Sequence, residues 1–196
     1  MKLLTVLKTL QNVAIPVMST RDVARILEVS IENASQILRR LAQEKHIIHL
    51  ARGLWIIDLK VNPLVLPDYL VAPFPCYVSL QSALYHHGMI DQIPRVITVV
   101  SPGRSRKIET PVATIHVHHI ESEFFLGYDF DPKTRVNMAT PEKALLDIYY
   151  LRKRLPELEI PANFNFKKAK EMIRKIPSQA LRTIVETSLK KEIPGS

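Results

Sequence analysis

The sequence predicts an α+β fold in two parts, and three observations predict it. Apolar residues recur at helical spacing up to Glu44 and switch to strand-like runs from Ile47. Four prolines, Pro63, Pro67, Pro73 and Pro75, crowd the next stretch and break the chain there. Beyond them, short β-rich runs are bracketed by helical segments, the pattern of helices around a small, mainly antiparallel sheet.

Leu3, Leu4, Val6, Leu7 and Leu10 share one helical face, so residues 2–12 are predicted as an amphipathic first helix. Pro16 in "AIPVMST" ends it. Ser19 or Thr20 caps a second helix, "RDVARILE", whose Asp22 suits the positive end of the helix dipole. Ser30 caps a third, from Ile31 to about Glu44. "IIHLA" and "LWIID" then read as a β-hairpin turning at Arg52-Gly53, where glycine supplies the positive φ of a tight turn. Helix, helix, helix, hairpin is the order of a winged helix-turn-helix, predicted for residues 1–60. Residues 61–75, "VNPLVLPDYLVAPFP", hold no usable helical run and are predicted as a linker or extended arm.

Residues 76–196 are predicted as the second domain. "YVSLQSALYHHG" reads as a helix capped by Ser79 and stopped at Gly88. "RVITVVS", "VATIHVHHI", "FFLGYDF" and "TRVNMA" read as strands, with "PGRSRKIETP" as a basic loop between the first two. Thr140 followed by Pro141 opens the helix "PEKALLDIYYL", in which Ala144, Leu145, Ile148 and Leu151 look like core and Glu142 suits the dipole. Helices near 167–176 and 178–190 complete the chain.

The charge balance points to a polyanionic partner. Lys and Arg number 27 against 19 Asp and Glu, a net charge of +8, and each cation placed on a phosphate releases condensed counterions. Cys76 is the sole cysteine, which excludes an intrachain disulfide and fits a reducing compartment. The leucines of the first helix are interrupted by Lys8 and Gln11, so no secretory signal is expected. No apolar run is long enough for a membrane span, and a cytoplasmic location is expected.

On the third helix Ala34, Ile37, Leu38 and Leu41 face inward, leaving Glu32, Asn33, Ser35, Gln36, Arg39, Arg40 and Gln43 outward. For an isolated helix such a face is ordinary solvated surface. In a winged helix-turn-helix it is the face that enters the major groove of double-stranded DNA. The residue types fit: Arg pairs bidentately with guanine, Asn and Gln with adenine, and Ser with several base edges. Asn33, Gln36 and Arg39 are expected at bases with Ser35 beside them, Arg40 at phosphate, and Arg52 at a minor groove or a phosphate. Arg104, Arg106 and Lys107 form either a second phosphate contact or a hydrophilic loop of ordinary composition.

Other chemistry finds little support. His116, His118 and His119 lie close together, with His86 and His87 upstream, but no ligand spacing accompanies them and ordinary hydrogen-bonded histidines are the preferred reading. Cys76 lacks a partnered histidine and reads as a small buried hydrophobe. Motifs for P-loops, zinc peptidases, nucleophile elbows and dinucleotides are all missing. No catalytic residue, metal or cofactor is expected, and the chain is read as a binding protein.

"YVSLQSALYHHGMIDQIPRVITVVSPGRSRKI", "FFLGY" and "VNMATPEKALLDIYYL" resemble the AbiEi family of abortive-infection antitoxins, from type IV toxin–antitoxin systems. The likeness extends to the wing-like "LARGLWII", and departs from the family pattern after Leu151, at "RKRLPELEIPANFNF". It implies an N-terminal winged helix that binds inverted repeats, as two copies, and represses its own operon. It also implies a C-terminal domain that counters a nucleotidyltransferase-like toxin. The alternative is a ligand-responsive regulator, with the proline-rich stretch transmitting occupancy of a C-terminal sensing domain. A metal-dependent nuclease built on Asp91, Glu121, Glu123 or Asp129 would have only scattered carboxylates to work with.

Overall fold

A computed structural model of the chain describes residues 3–151 and 157–192 and is mixed α+β. The chain divides into two compact units. One is built on the chain up to Leu70 with Glu109–Ala113, the other on Val71–Ile108 and the chain from Thr114 onward.

The first unit contains α1 (Leu3–Asn12), β1 (Val17–Ser19), α2 (Thr20–Ile26), α3 (Ile31–Gln43), β2 (Ile48–Ala51) and β3 (Leu54–Ile56). Its core joins Val6 and Leu10 of α1, Val23 and Ala24 of α2, and Ala34, Leu38 and Leu41 of α3 to Met18, Ile47, Trp55 and Ile57. Ser19 is the cap of α2: its hydroxyl accepts from Asp22 N while the Asp22 carboxylate accepts from Ser19 N, a reciprocal capping box. Ser30 caps α3 by accepting from Asn33 N at 3.2 Å.

Strand β1 was not expected from the sequence. Pro16 does end the helical region, but Val17 and Met18 are buried and pair antiparallel with Ile56 and Trp55. The Pro16 carbonyl accepts from Ile57 N at 2.8 Å. The hairpin edge is thereby covered, giving a three-stranded sheet ordered β1-β3-β2.

The proline-rich stretch is also more ordered than a linker. A 3-10 turn at Pro63–Val65 leads into α4 (Leu66–Leu70), with Leu66 and Pro67 buried. Pro63 and Pro67 sit at first-turn positions, where a missing N–H costs nothing, and the Asn62 side chain accepts from Leu64 N. The residues to Leu70 belong to the first unit, so the division falls between Leu70 and Val71, inside the proline-rich stretch.

The second unit holds β4 (Tyr77–Val78), α5 (Leu80–His86), β5 (Ile97–Ser101), β6 (Arg106–Glu109), β7 (Thr114–His119), β8 (Tyr128–Asp131), β9 (Val136–Ala139), α6 (Pro141–Tyr150), α7 (Phe166–Ile173) and α8 (Gln179–Glu192). The six strands form one sheet ordered β6-β7-β5-β4-β9-β8. It contains parallel as well as antiparallel pairs: β5 runs parallel to β7 and β4 parallel to β9, while β4–β5 and β8–β9 are antiparallel. A parallel neighbour needs a crossover, and "RKIE", expected as part of a loop, supplies it as edge strand β6 between β5 and β7. Tyr77 and Val78, expected at the start of a helix, form strand β4 inside the sheet. Gly88 follows α5 with φ +66°, the left-handed conformation that ends a helix. Thr140 caps α6 with Pro141 at its first position, as expected. Among the described residues no helix is long and apolar enough to cross a membrane.

Candidate nucleic-acid interface

The outward face of α3 is open to solvent. Glu32, Asn33, Gln36, Arg39, Arg40 and Gln43 are exposed and Ser35 is half-buried, while Ala34, Leu38 and Leu41 are fully buried against the other helices. The periodicity that seats one face on the core thus leaves the other free.

The β2–β3 hairpin stands beside that face. Its turn, Arg52-Gly53, depends on Gly53 at φ +74°. Three bonds tie it to the start of α2. Thr20 N donates to Gly53 O at 2.9 Å, and the Thr20 hydroxyl donates to the same carbonyl at 3.5 Å. Trp55 Nε1 then donates to Thr20 Oγ1 at 2.9 Å. His49 lies opposite Trp55 in the strand register, with ring centroids 4.5 Å apart.

Between α3 and the hairpin lies an open cleft of about 660 Å³, lined by Ser35, Arg39, Ala42 and Gln43 on the helix, by His49, Arg52, Gly53 and Trp55 on the hairpin, and by Thr20. Two permanently charged arginines line it from different elements, and among the described residues no carboxylate does. Such a concavity attracts a polyanion and offers bidentate donors to phosphate or to a guanine edge. Of the predicted residues, Ser35, Arg39 and Arg52 come together here. Asn33, Gln36 and Arg40 are exposed on α3 but do not line the cleft. Thr20, Gln43, His49 and Trp55 complete it without having been singled out. The two-residue turn at Arg52-Gly53 sets Ala51 opposite Leu54, but unbroken register would put Leu50 opposite Trp55. A register shift between His49 and Ala51 brings His49 there instead, and no sequence rule marks it.

In the second unit Arg104, Arg106 and Lys107 are exposed, Arg104 in the loop and the other two on edge strand β6. The loop is held rather than loose. Ser101 Oγ donates to Pro75 O and accepts from Gly103 N, and Ser105 Oγ accepts from His119 N at 2.8 Å.

The histidines go separate ways. His86 Nε2 meets Asp131 at 3.3 Å, and His87 Nε2 meets the Ala139 carbonyl at 2.7 Å. His119 Nδ1 lies 3.1 Å from the carbonyls of both Pro102 and Gly103. Burial holds the His87 imidazole below its ordinary range, opposed by its bond to Ala139. Among the described residues no group of three or more His, Cys, Asp or Glu could hold a metal ion.

A second polar constellation escaped the sequence reading. Lys143 and Asp147, one turn apart on α6, are both fully buried, with Nζ 2.6 Å from Asp147 Oδ1. Asp147 Oδ2 accepts from Ser79 Oγ at 2.7 Å and from Tyr77 OH at 3.1 Å. The ammonium also lies 3.3 Å from the Phe124 ring centroid, a cation–π contact. Burial pushes the Asp147 carboxyl up and the Lys143 amine down, each opposed by the other's charge. Burial and the neighbouring Asp147 push the Tyr77 hydroxyl well above its ordinary range. Ser79, expected as a cap, precedes α5 but makes no side-chain capping bond; its hydroxyl donates to Asp147. The signal missed was total burial: Glu142 through Tyr149 are all buried. A helix buried all round must take its charges inside, and these satisfy one another there. This network fastens α6 to β4.

No protein-family model matches the chain, and no curated protein does.

Proposed function

We propose that the first unit is a winged helix-turn-helix and that the chain is a sequence-specific DNA-binding repressor. In this reading α3 enters the major groove and the β2–β3 hairpin grips the adjoining backbone. The observation that carries the reading is the cleft between α3 and the hairpin, with Arg39 on one wall, Arg52 on the other and, among the described residues, no carboxylate lining it. The net charge of +8 supports it. A single such unit covers only a half-site, so two copies on an inverted repeat are proposed.

The resemblance of "SLQSALYHHGMIDQIP" and "ATPEKALLD" to the AbiEi antitoxins supplies the biological role. The chain represses its own toxin–antitoxin operon and counters a nucleotidyltransferase-like toxin. It acts by binding, without catalysis or cofactor.

The test is a binding titration on the DNA upstream of its own reading frame and on random duplex. Arg39→Ala should lose about 1–3 kcal/mol on the specific site and much less on random DNA. Arg52→Ala should weaken both and lower the salt slope by about one. Equal losses on both duplexes for Arg39→Ala would remove the base-reading role. Failure of the chain to rescue growth when co-expressed with the neighbouring gene product would remove the antitoxin role.

A further inference from the structure

Ile31 stands out on α3. It is the first residue of the helix, directly after the Ser30 cap, and its side chain is 50 % exposed. Every other exposed residue of α3 is polar, and Ile31 is not among the side chains packed on the core of the first unit. Positions four and three apart stack along one side of a helix. Ile31 therefore heads the ridge Ser35, Arg39, Ala42 and Gln43, whose members form the helical wall of the cleft. Behind Ile31 the ridge carries the hydrogen-bonding side chains of Ser35, Arg39 and Gln43, with only the small Ala42 among them, and its leading end is a large aliphatic group.

The geometry points to Ile31 as a specificity-determining residue that reads the C5-methyl group of a thymine in the major groove. The inference rests on the DNA-binding reading and deepens it. Among groups displayed on base edges in that groove, the thymine methyl is the apolar one, and an aliphatic side chain is its complement. A recognition helix makes its base contacts from its N-terminal residues, which is where Ile31 lies. Attraction to phosphate comes from Arg40 and Arg52 in this reading, so the aliphatic group adds discrimination more than general affinity.

Full-length protein would be used to select duplexes from a random-sequence library, and each thymine of the selected site would then be replaced singly by uracil, which removes only the methyl. One thymine in each half-site should be sensitive, with binding weakened about fourfold per half-site, the worth of one buried methyl. Ile31→Ala should weaken binding to the thymine duplex and bind the uracil duplex equally well, while Ile31→Val keeps most of the discrimination. The assignment is overturned if Ile31→Ala still distinguishes thymine from uracil at every position. It is also overturned if that variant loses affinity equally on both duplexes, which would give Ile31 a protein contact instead. Failure to select any sequence would sink the DNA-reading proposal itself, a different result from loss of the thymine preference alone.

Discussion

Substitution in the buried network of α6 should produce an energy pattern that only a mutually dependent ion pair can give. Asp147→Leu removes the acceptor shared by Lys143 Nζ, Tyr77 OH and Ser79 Oγ. The ammonium then has the Phe124 ring but no counter-charge. Breaking a buried pair in this way costs roughly 3–5 kcal/mol. An upper bound follows from neutralisation, because deprotonating an ordinary lysine at pH 7 costs about 5 kcal/mol. Lys143→Met is milder. Asp147 keeps two hydroxyl donors, and protonating an ordinary aspartate at pH 7 costs about 4 kcal/mol. In Lys143→Met/Asp147→Leu both charges go, leaving two unmatched hydroxyls at about 1–3 kcal/mol each. The double variant should therefore lose several kcal/mol less than the sum of the single losses.

The two single variants should also respond to pH in opposite directions. In Asp147→Leu, burial holds the remaining amine below the ordinary lysine range. The unfolded chain then binds more protons, so the deficit is full at low pH and fades as pH rises toward the ordinary lysine range. In Lys143→Met, burial holds the carboxyl above its ordinary range. The folded chain binds the extra proton, so the deficit is absent at acid pH and grows as pH rises until the raised carboxyl has ionised. Each slope is at most about 1.4 kcal/mol per pH unit. Urea unfolding followed by far-ultraviolet circular dichroism, on all four proteins from acid to alkaline pH, measures both effects. Losses that add to within about 0.5 kcal/mol, or parallel pH profiles, would refute the coupled network.

Gly53→Ala should destabilise the first unit by about 1–2 kcal/mol, since the residue holds φ +74° and an added Cβ meets nothing within 4 Å, leaving backbone strain as the only cause; thermal unfolding tests it, and no change would mean that the turn can relax. Ser79→Ala should destabilise the native protein in urea but be neutral or stabilising in the Asp147→Leu background, because its hydroxyl serves Asp147 and not the end of α5. Equal effects in both backgrounds would refute that role. Arg104→Ala should lower the salt slope of DNA binding by about one if its loop meets phosphate, and an unchanged slope would assign the loop to ordinary surface.

Local rules carried most of the element assignments. Caps at Ser19, Ser30 and Thr140, the turn at Gly53 and the stop at Gly88 each depend on the chemistry of one or two residues, and the structure has them where the sequence placed them. Non-local pairing was harder to read. Val17–Ser19 and Tyr77–Val78 are too short to show alternation, and each is a strand only because a distant partner covers it: Leu54–Ile56 for the first, Ile97–Ser101 and Val136–Ala139 for the second. The proline rule misled at Pro63 and Pro67, because proline breaks a helix interior but fits its first turn. Within the candidate interface, helical periodicity identified the α3 wall. The hairpin wall depends on strand register and on Thr20, which no motif marks.

Thr20 has a further consequence for binding. It opens α2, so its position follows from the helical core, and its backbone and hydroxyl hold Gly53 and Trp55 of the hairpin. The pairing of Val17–Ser19 with β3 continues that anchorage along the same edge, so the hairpin is held down its β3 side rather than projecting as a free flap. Arg39 and Arg52 therefore face one cleft before any ligand arrives. A preformed pair of cations loses less conformational freedom on binding than two that must be gathered. Trp55→Phe would retain a ring beside His49 while removing the indole donor to Thr20. On this argument its effect should fall on the ordering of the hairpin and on DNA affinity more than on the stability of the helical core.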